Sequence, residues 1–334
     1  MKYRQFGNTG KKVSEYGLGT WAMGGNAYGK VDDEESIRTI HRAQDLGINF
    51  LDTAPSYSYK EDGHSEMICG KALKGRRDQW MLSSKYGRSV SQDKNGQTVY
   101  GEDFSTERAI TSVEQSLKRL QTDHLDVYFV HTPSFDIPGI FNPEEAFAAM
   151  TKLKEQGKIK YIGFSFHLHS ATWLEQIEPF LRSNVIDVVQ VGISLLLPEP
   201  LDVLLPIIKE TGTAFVARES LANGYLTDSF TEEGPFPKGH PFEKADKEKI
   251  REKLAKANKF KFLIDRAEGV ASLPEAALHW TVSLPEVSLV IPGAKTIGEL
   301  EQCVNAADAE AFDESTMQEV RGIQKAWGDW NIYG

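Results

Sequence analysis

Two periods of apolar and polar residues alternate along the chain. Short, near-continuous apolar runs fall near residues 16–20, 48–52, 79–84, 125–131, 159–164, 187–191, 213–217 and 288–292. Longer stretches with apolar residues at helical spacing lie near 33–46, 64–74, 106–120, 143–156, 170–181, 200–210, 264–283 and 297–306. The first kind suits strands covered on both faces, the second helices with one buried stripe. Strand–helix alternation argues for parallel βα units, and eight of each is the count of a (β/α)8 TIM barrel. Helix-start signals agree, as in Ser105-Thr106-Glu107 and Asn142-Pro143-Glu144.

Outside the repeat, residues 3–6 and 12–14 flank Gly7-Asn8-Thr9-Gly10 and read as a β-hairpin, expected to plug one barrel mouth. Past the eighth unit, residues 312–334 add an extra C-terminal helix and a tail carrying Trp327, Trp330 and Tyr333, aromatics expected to pack on the barrel or reach its rim. Residues 1–334 read as one domain. Residues 88–104 and 222–262 break the pattern, the first polar and glycine-containing, the second rich in Pro, Gly, Lys and Glu. Both are expected to leave the carboxyl ends of strands, where long loops serve as lids or specificity walls.

Composition narrows the function classes. The net charge of −10, with no Lys/Arg cluster, repels phosphate backbones and argues against nucleic acid. Met1-Lys2-Tyr3-Arg4-Gln5-Phe6 lacks the apolar core of a signal peptide, and no stretch reaches the roughly 18 apolar residues of a membrane span. Cys69 and Cys303 stand alone, without metal-ligand spacing, and nothing supports a disulfide. A cytoplasmic protein without a metal site is expected; the oligomeric state is not readable.

The chemistry concentrates at strand ends. The run 48–52 closes on Asp52, and Tyr57 follows five residues later; the next two runs close on Lys85 and His131. A carboxylate buried at a strand end needs a partner, and the parallel barrel brings all four side chains to one rim. An ammonium held by a carboxylate is expected to lower the tyrosine's pKa and make it a tunable proton donor, with the imidazole bonding the same oxygen. This suits hydride delivery to a carbonyl carbon with protonation of its oxygen. Taken singly, each residue has a plainer reading as a turn acid, a rim aromatic, a surface charge or a core histidine. Four at the ends of consecutive strands do not. His41 and His124 lack that placement and read as structural. Glu66 opens a helix and can steady the Lys85 or Tyr57 neighbourhood.

The sequence resembles the aldo-keto reductases along nearly its full length. The motifs are Gly17-Leu18-Gly19-Thr20-Trp21, Asp52-Thr53-Ala54 with Tyr57, Gly63-His64-Ser65-Glu66, Ser84-Lys85, Tyr128 to His131, Gly157-Lys158-Ile159 with Gly163 and Ser165, Gln190, and Ile291-Pro292-Gly293. The resemblance implies a catalytic tetrad of Asp52, Tyr57, Lys85 and His131 and an NAD(P)H-dependent reduction of an aldehyde or ketone, or its reverse. It further implies a cofactor site of Thr20, Trp21, Asp52, Ser165, Gln190, Arg218, Leu221, Gly224, Gly293, Lys295, Thr296 and Glu299. Ser165 and Gln190 would hold the nicotinamide carboxamide. Two departures weaken that grip: Phe166 stands where relatives commonly have Asn, and Ile193-Ser194 where they have Tyr-Asn. Arg218 stands where many carry a stacking aromatic, and a planar guanidinium is a suitable substitute.

NADPH is expected over NADH, through Lys295 and the amino terminus capped by Thr296, with Glu299 opposing. Trp21, Tyr28, Tyr57, Tyr86, His131 and Phe166 are expected to line the pocket for a small carbonyl or sugar-like substrate. Two other readings are a nucleotide-binding, redox-sensing subunit that docks a partner, and an unrelated barrel enzyme using Lys85 as a Schiff base.

Overall fold

The computed structural model describes residues 1–25, 31–58, 61–134, 137, 139–168, 171–228, 231 and 246–327. It opens on the antiparallel hairpin β1 (Tyr3–Gln5) and β2 (Lys12–Ser14). There follow β3 (Leu18–Gly19), α1 (Asp33–Asp45), β4 (Phe50–Asp52), α2 (His64–Ala72), β5 (Met81–Tyr86), β6 (Arg88–Gln92), β7 (Thr98–Glu102), α3 (Thr106–Leu120) and β8 (Leu125–His131). Next come α4 (Pro143–Glu155), β9 (Ile159–Phe166), α5 (Ala171–Arg182), β10 (Val188–Gly192), α6 (Glu199–Val203), α7 (Leu205–Thr211) and β11 (Ala214–Arg218). The last elements are α8 (Lys247–Asn258), α9 (Leu273–Val282), β12 (Leu289–Val290), α10 (Ile297–Val304) and α11 (Glu314–Lys325).

Eight parallel strands run in the order β3-β4-β5-β8-β9-β10-β11-β12. Parallel bridges Tyr16–Val290 and Gly19–Gly293 join the first to the last, closing a (β/α)8 barrel. Inside it, Phe50, Val127, Phe129, Val188, Ala214, Val216 and Leu289 form a core with Phe6 and Val13 of the hairpin. The hairpin therefore plugs the amino-terminal mouth, its Asn8 N–H bonding Gly212 O just ahead of β11. Alternate strand residues such as Leu51, Leu82, Tyr128 and Phe164 face outward into a second core with the helices. The carboxyl-terminal mouth is left for polar groups.

The expected helices begin where their caps require: Ser105 Oγ accepts from Arg108 N at α3, and Asn142 Oδ1 from Glu145 N at α4. Three regions differ from expectation. Residues 88–104 hold an ordered antiparallel hairpin, β6–β7, whose turn is built by Asp93 accepting from Asn95 and Gln97 N–H, each at 2.8 Å. The expected helix 200–210 is split into α6 and α7, because Pro206 has no N–H to continue the ladder. Helix α9 starts only at Leu273, behind the Ser272 cap and Pro274. Of 222–262, residues 229–230 and 232–245 lie outside the described residues, as do Trp330 and Tyr333. Trp327 packs edge-on against Phe260 at 5.4 Å. Cys69 and Cys303 are both free and buried, and no helix among the described residues is long and apolar enough to cross a membrane.

Candidate active site

Strand register sets the site. Asp52 on β4 pairs with Ser83 on β5, Lys85 with Phe129 on β8, His131 with Ser165 on β9, and Ser165 with Gln190 on β10. The inward polar residues at these ends thus form an arc along the carboxyl-terminal rim from β4 to β10. At its centre, Lys85 Nζ donates to both carboxylate oxygens of Asp52, at 2.8 and 2.7 Å, and to Thr53 O at 2.9 Å. Both side chains are buried, at 0% and 2% exposure. Ser83 Oγ and Gln190 Nε2 also donate to Asp52 Oδ1, at 2.7 and 2.9 Å. Such a pair is stable only when its remaining donors and acceptors are satisfied, and here they are.

Tyr57 lies over this pair, its ring centroid 4.6 Å from Lys85 Nζ and 5.8 Å from the His131 ring, which meets it edge-on. Gly24 makes the placement possible: a Cβ there would stand 2.2 Å from Tyr57 O. The expected depression of the tyrosine pKa does not occur. Burial, then the Asp52 carboxylate, hold the hydroxyl well above the ordinary phenol value, and only Arg218 pulls appreciably the other way. The reason is geometric. An ammonium has three protons, and those of Lys85 are spent on Asp52 and Thr53, so the cation supports the ring face and not the hydroxyl. Burial likewise lowers the Lys85 pKa, against the opposing pull of Asp52. His131 is held neutral, its pKa driven well below 6.5 by burial and then by Lys85, Arg88, Arg218 and His167. Its Nδ1 is 3.4 Å from Ser56 Oγ.

Ser165 and Gln190, the residues expected for a carboxamide, lie side by side, Ser165 Oγ donating to Gln190 Oε1 at 3.2 Å. Thr20 is committed to the scaffold, its hydroxyl bonding Asp52 O at 2.9 Å and Ser65 Oγ at 2.7 Å. Trp21 is exposed on the rim. Arg218 ends β11; its guanidinium pairs with Glu219 and donates to Phe166 O at 3.0 Å and His167 Nδ1 at 3.1 Å. Leu221 and Gly224 bound the turn that follows. Gly293, Lys295, Thr296 and Glu299 lie where β12 runs into α10, beside β3. Three of the N–H groups there are already in use. Glu299 accepts from Lys295 N at 2.9 Å, Thr296 Oγ1 from Glu299 N at 3.2 Å, and Glu35 of α1 from Ile297 N at 3.4 Å.

Two expected pocket residues are corrected. Tyr86 and Phe166 follow Lys85 and Ser165 by one position, and on a strand one position reverses the face. Both are fully buried in the outer core, Tyr86 stacked on Tyr128 at 5.4 Å and Phe166 against Phe164 at 5.3 Å. Tyr28 lies outside the described residues.

Three participants, Ser83, Glu219 and Arg88, had gone unread, and Ser84 had entered only as part of a motif. Ser83 was recoverable, being two residues before Lys85 and so on the same face. Ser84, facing outward, donates to the buried Glu66 at 2.6 Å, which Arg119 of α3 holds at 2.6 Å, pinning β5 to two helices. Glu219 has φ +58 and a carboxyl pushed up by burial to about 8. Arg88 follows Gly87, whose φ of +106 bends the chain between β5 and β6. No local pattern marks Arg88 or Glu219.

Comparison with known proteins agrees with this geometry. The model of the Aldo/keto reductase family matches residues 15–325. An aldo-keto reductase of Bacillus subtilis (strain 168), YhdN, is 35% identical over 90% of this chain and 87% of its own length. L-galactose dehydrogenase of Arabidopsis thaliana is 30% identical over 97% and 94%. The structure of a glycerol dehydrogenase from Gluconobacter oxydans superposes with a TM-score of 0.79 at 26% identity, covering 97% of this chain and 95% of that one.

Proposed function

The chain belongs to the aldo/keto reductase family, an oxidoreductase that interconverts a carbonyl and an alcohol with a nicotinamide nucleotide, and from that premise we propose how its own residues divide the work. Tyr57 is the proton donor, Lys85 and Asp52 fix it, and neutral His131 hydrogen-bonds the carbonyl oxygen. The observation that carries this is the closed Asp52–Lys85 pair beneath the Tyr57 ring, edge-on to His131. A phenol held above its ordinary pKa stays protonated at neutral pH, the form that reduction needs.

The rim also suits the nucleotide. Beyond its bonds to Asp52 and Ser165, Gln190 keeps one amide N–H and one carbonyl lone pair, the donor and acceptor that a carboxamide requires, and buried Ser220 Oγ, just past β11, has no partner among the described residues. The bound nucleotide supplies the hydride. Arg218 offers a guanidinium face to an aromatic ring, and Trp21, Leu221, Gly224 and Gly293 border the same mouth. For the adenosine end, an NADPH preference would rest on the Lys295 side chain and on helix-start N–H groups, of which those of Lys295 and Ile297 already bond Glu299 and Glu35. A carboxylate repels a 2′-phosphate and accepts from a free 2′-hydroxyl, so the reading shifts to NADH as the preferred nucleotide. Relatives named for galactose and glycerol support a small polar carbonyl or sugar-like substrate.

Two measurements test these assignments. Tyr57→Phe is expected to lower kcat by about 10²–10⁴ while nucleotide Kd stays within a few-fold; retained turnover reassigns the acid. Glu299→Gln is expected to shift the ratio of Kd values towards NADPH by about tenfold, on the order of one charge-assisted bond. A wild type that binds NADPH more tightly, with the variant unchanged, refutes the role of the carboxylate.

A further inference from the structure

Arg88 is the first residue of β6, three positions beyond Lys85. Its Nη2 pairs with Glu102 at 3.1 Å across the β6–β7 hairpin. Glu102 in turn accepts from Ser134 N at 2.9 Å and Ser134 Oγ at 2.6 Å, three residues after His131. Through Glu102 the guanidinium is tied to the end of β8; the Arg88 side chain as a whole is 38% exposed, but its Nε is buried and has no partner among the described residues. The Nε of Arg218 is in the same condition, with Nη1 on Glu219 and Nη2 on Phe166 O and His167. A buried guanidinium N–H without an acceptor is unfavourable by about 1–3 kcal/mol and is kept where a ligand completes it.

The carboxylates stand behind these arginines. Glu102 is tied back to Ser134, and Glu219 Oε2 would meet a Cβ placed on Gly192. The charges that act most strongly on the His131 ring are accordingly all cationic or imidazole: Lys85, Arg88, Arg218 and His167. A neutral carbonyl needs only Tyr57 and His131, and leaves both Nε donors empty.

We infer that the substrate carries an oxyanion group, carboxylate or phosphate, close to its reacting carbonyl, and that Arg88 Nε–H, with Arg218 Nε–H, receives it. This rests on the reductase reading of the same site. Arg218 can present its face to the nucleotide and its edge to the substrate, so the two assignments are compatible. Arg88 makes the specificity: charge-assisted bonds favour an anion over a neutral acceptor, and its pairing with Glu102 sets the side from which the anion is met.

The test uses matched aldehydes with either nucleotide: succinic semialdehyde against butanal, and glyceraldehyde 3-phosphate against glyceraldehyde. At least tenfold higher kcat/KM is expected for the anionic member of one pair, and which pair shows it tells carboxylate from phosphate. In Arg88→Gln that ratio is expected to fall towards one, and Arg88→Lys, which keeps the charge but loses the Nε donor, to recover only part of it. Because the readout is a ratio within one preparation, loss of folded protein does not mimic the effect. Calorimetric titration of the nucleotide-bound protein with succinate and with inorganic phosphate gives a second readout, with at least tenfold weaker binding expected in Arg88→Gln. A wild type that prefers the neutral members, or that binds neither anion, overturns the inference while leaving the reductase intact. An unchanged ratio with a tenfold weaker nucleotide Kd in Arg88→Gln overturns it too and returns Arg88 to the cofactor. If no aldehyde is reduced yet the anions bind through Arg88, the reductase reading fails and the anion site stands.

Discussion

The buried Asp52–Lys85 pair gives a prediction in which each partner, once orphaned, has a different escape. Removing one member of such a pair is worth about 3–5 kcal/mol of stability. The orphan can limit the loss by becoming neutral. At pH 7 that costs about 4.6 kcal/mol for a lysine of ordinary pKa about 10.4, and about 4.2 kcal/mol for an aspartate of about 3.9. Asp52→Asn leaves Lys85 with Thr53 O and at most a neutral amide oxygen in place of the carboxylate, fully buried and already lowered in pKa by desolvation. Its amine is expected to be neutral when folded and charged when unfolded. A group with a depressed folded pKa regains its contribution as pH rises towards the unfolded value, so the destabilisation should shrink by about 1.4 kcal/mol per pH unit between about pH 7 and 9. Lys85→Met leaves no buried amine to titrate, and Ser83 and Gln190 still donate to the Asp52 carboxylate, so its destabilisation is expected to lack that alkaline recovery. Urea unfolding of both variants against wild type, at matched pH and followed by circular dichroism, measures the slopes. No recovery of Asp52→Asn between about pH 7 and 9, or the same recovery in Lys85→Met, would refute a charged, mutually compensated pair.

Two further outcomes follow from the geometry around Tyr57. Gly24→Ala puts a Cβ 2.2 Å from Tyr57 O, where backbone must move; a loss of about 1–3 kcal/mol is expected, with kcat down by about 10² from the misplaced acid, and wild-type kcat in a folded variant would show that the loop tolerates the shift. In the reductive direction, kcat/KM should be flat through neutral pH: His131 titrates well below 6.5, and Tyr57 loses its proton only well above 10. Oxidation of an alcohol, which needs the phenolate, should rise steadily with pH over the same range, and an acid limb in the reductive profile near 6.5 would show His131 titrating unperturbed.

Much of this protein is legible in one dimension. The positions of the eight strands depend on local apolar density, and the caps at Ser105, Asn142 and Thr296 depend on short polar side chains at fixed offsets. Asp52, Lys85 and His131 stand out because an ionisable residue closing an apolar run is locally anomalous. What the sequence could not decide is direction and competition. Tyr86 and Phe166 looked like pocket walls, yet a strand reverses its face at every residue, and only the pairing Lys85–Phe129 and His131–Ser165 shows which parity points inward. The Lys85 ammonium was expected to acidify Tyr57, but how its three protons are shared among Asp52, Thr53 and the tyrosine is settled by positions contributed from β4 and β5. The amino terminus of α10 looked free until α1, some 260 residues earlier, placed Glu35 against it. Arg88, Glu102 and Ser134 are unremarkable in the chain and meet only because a hairpin folds over the end of β8. Local pattern fixes where the elements lie; which donors remain for a ligand depends on contacts distant in sequence.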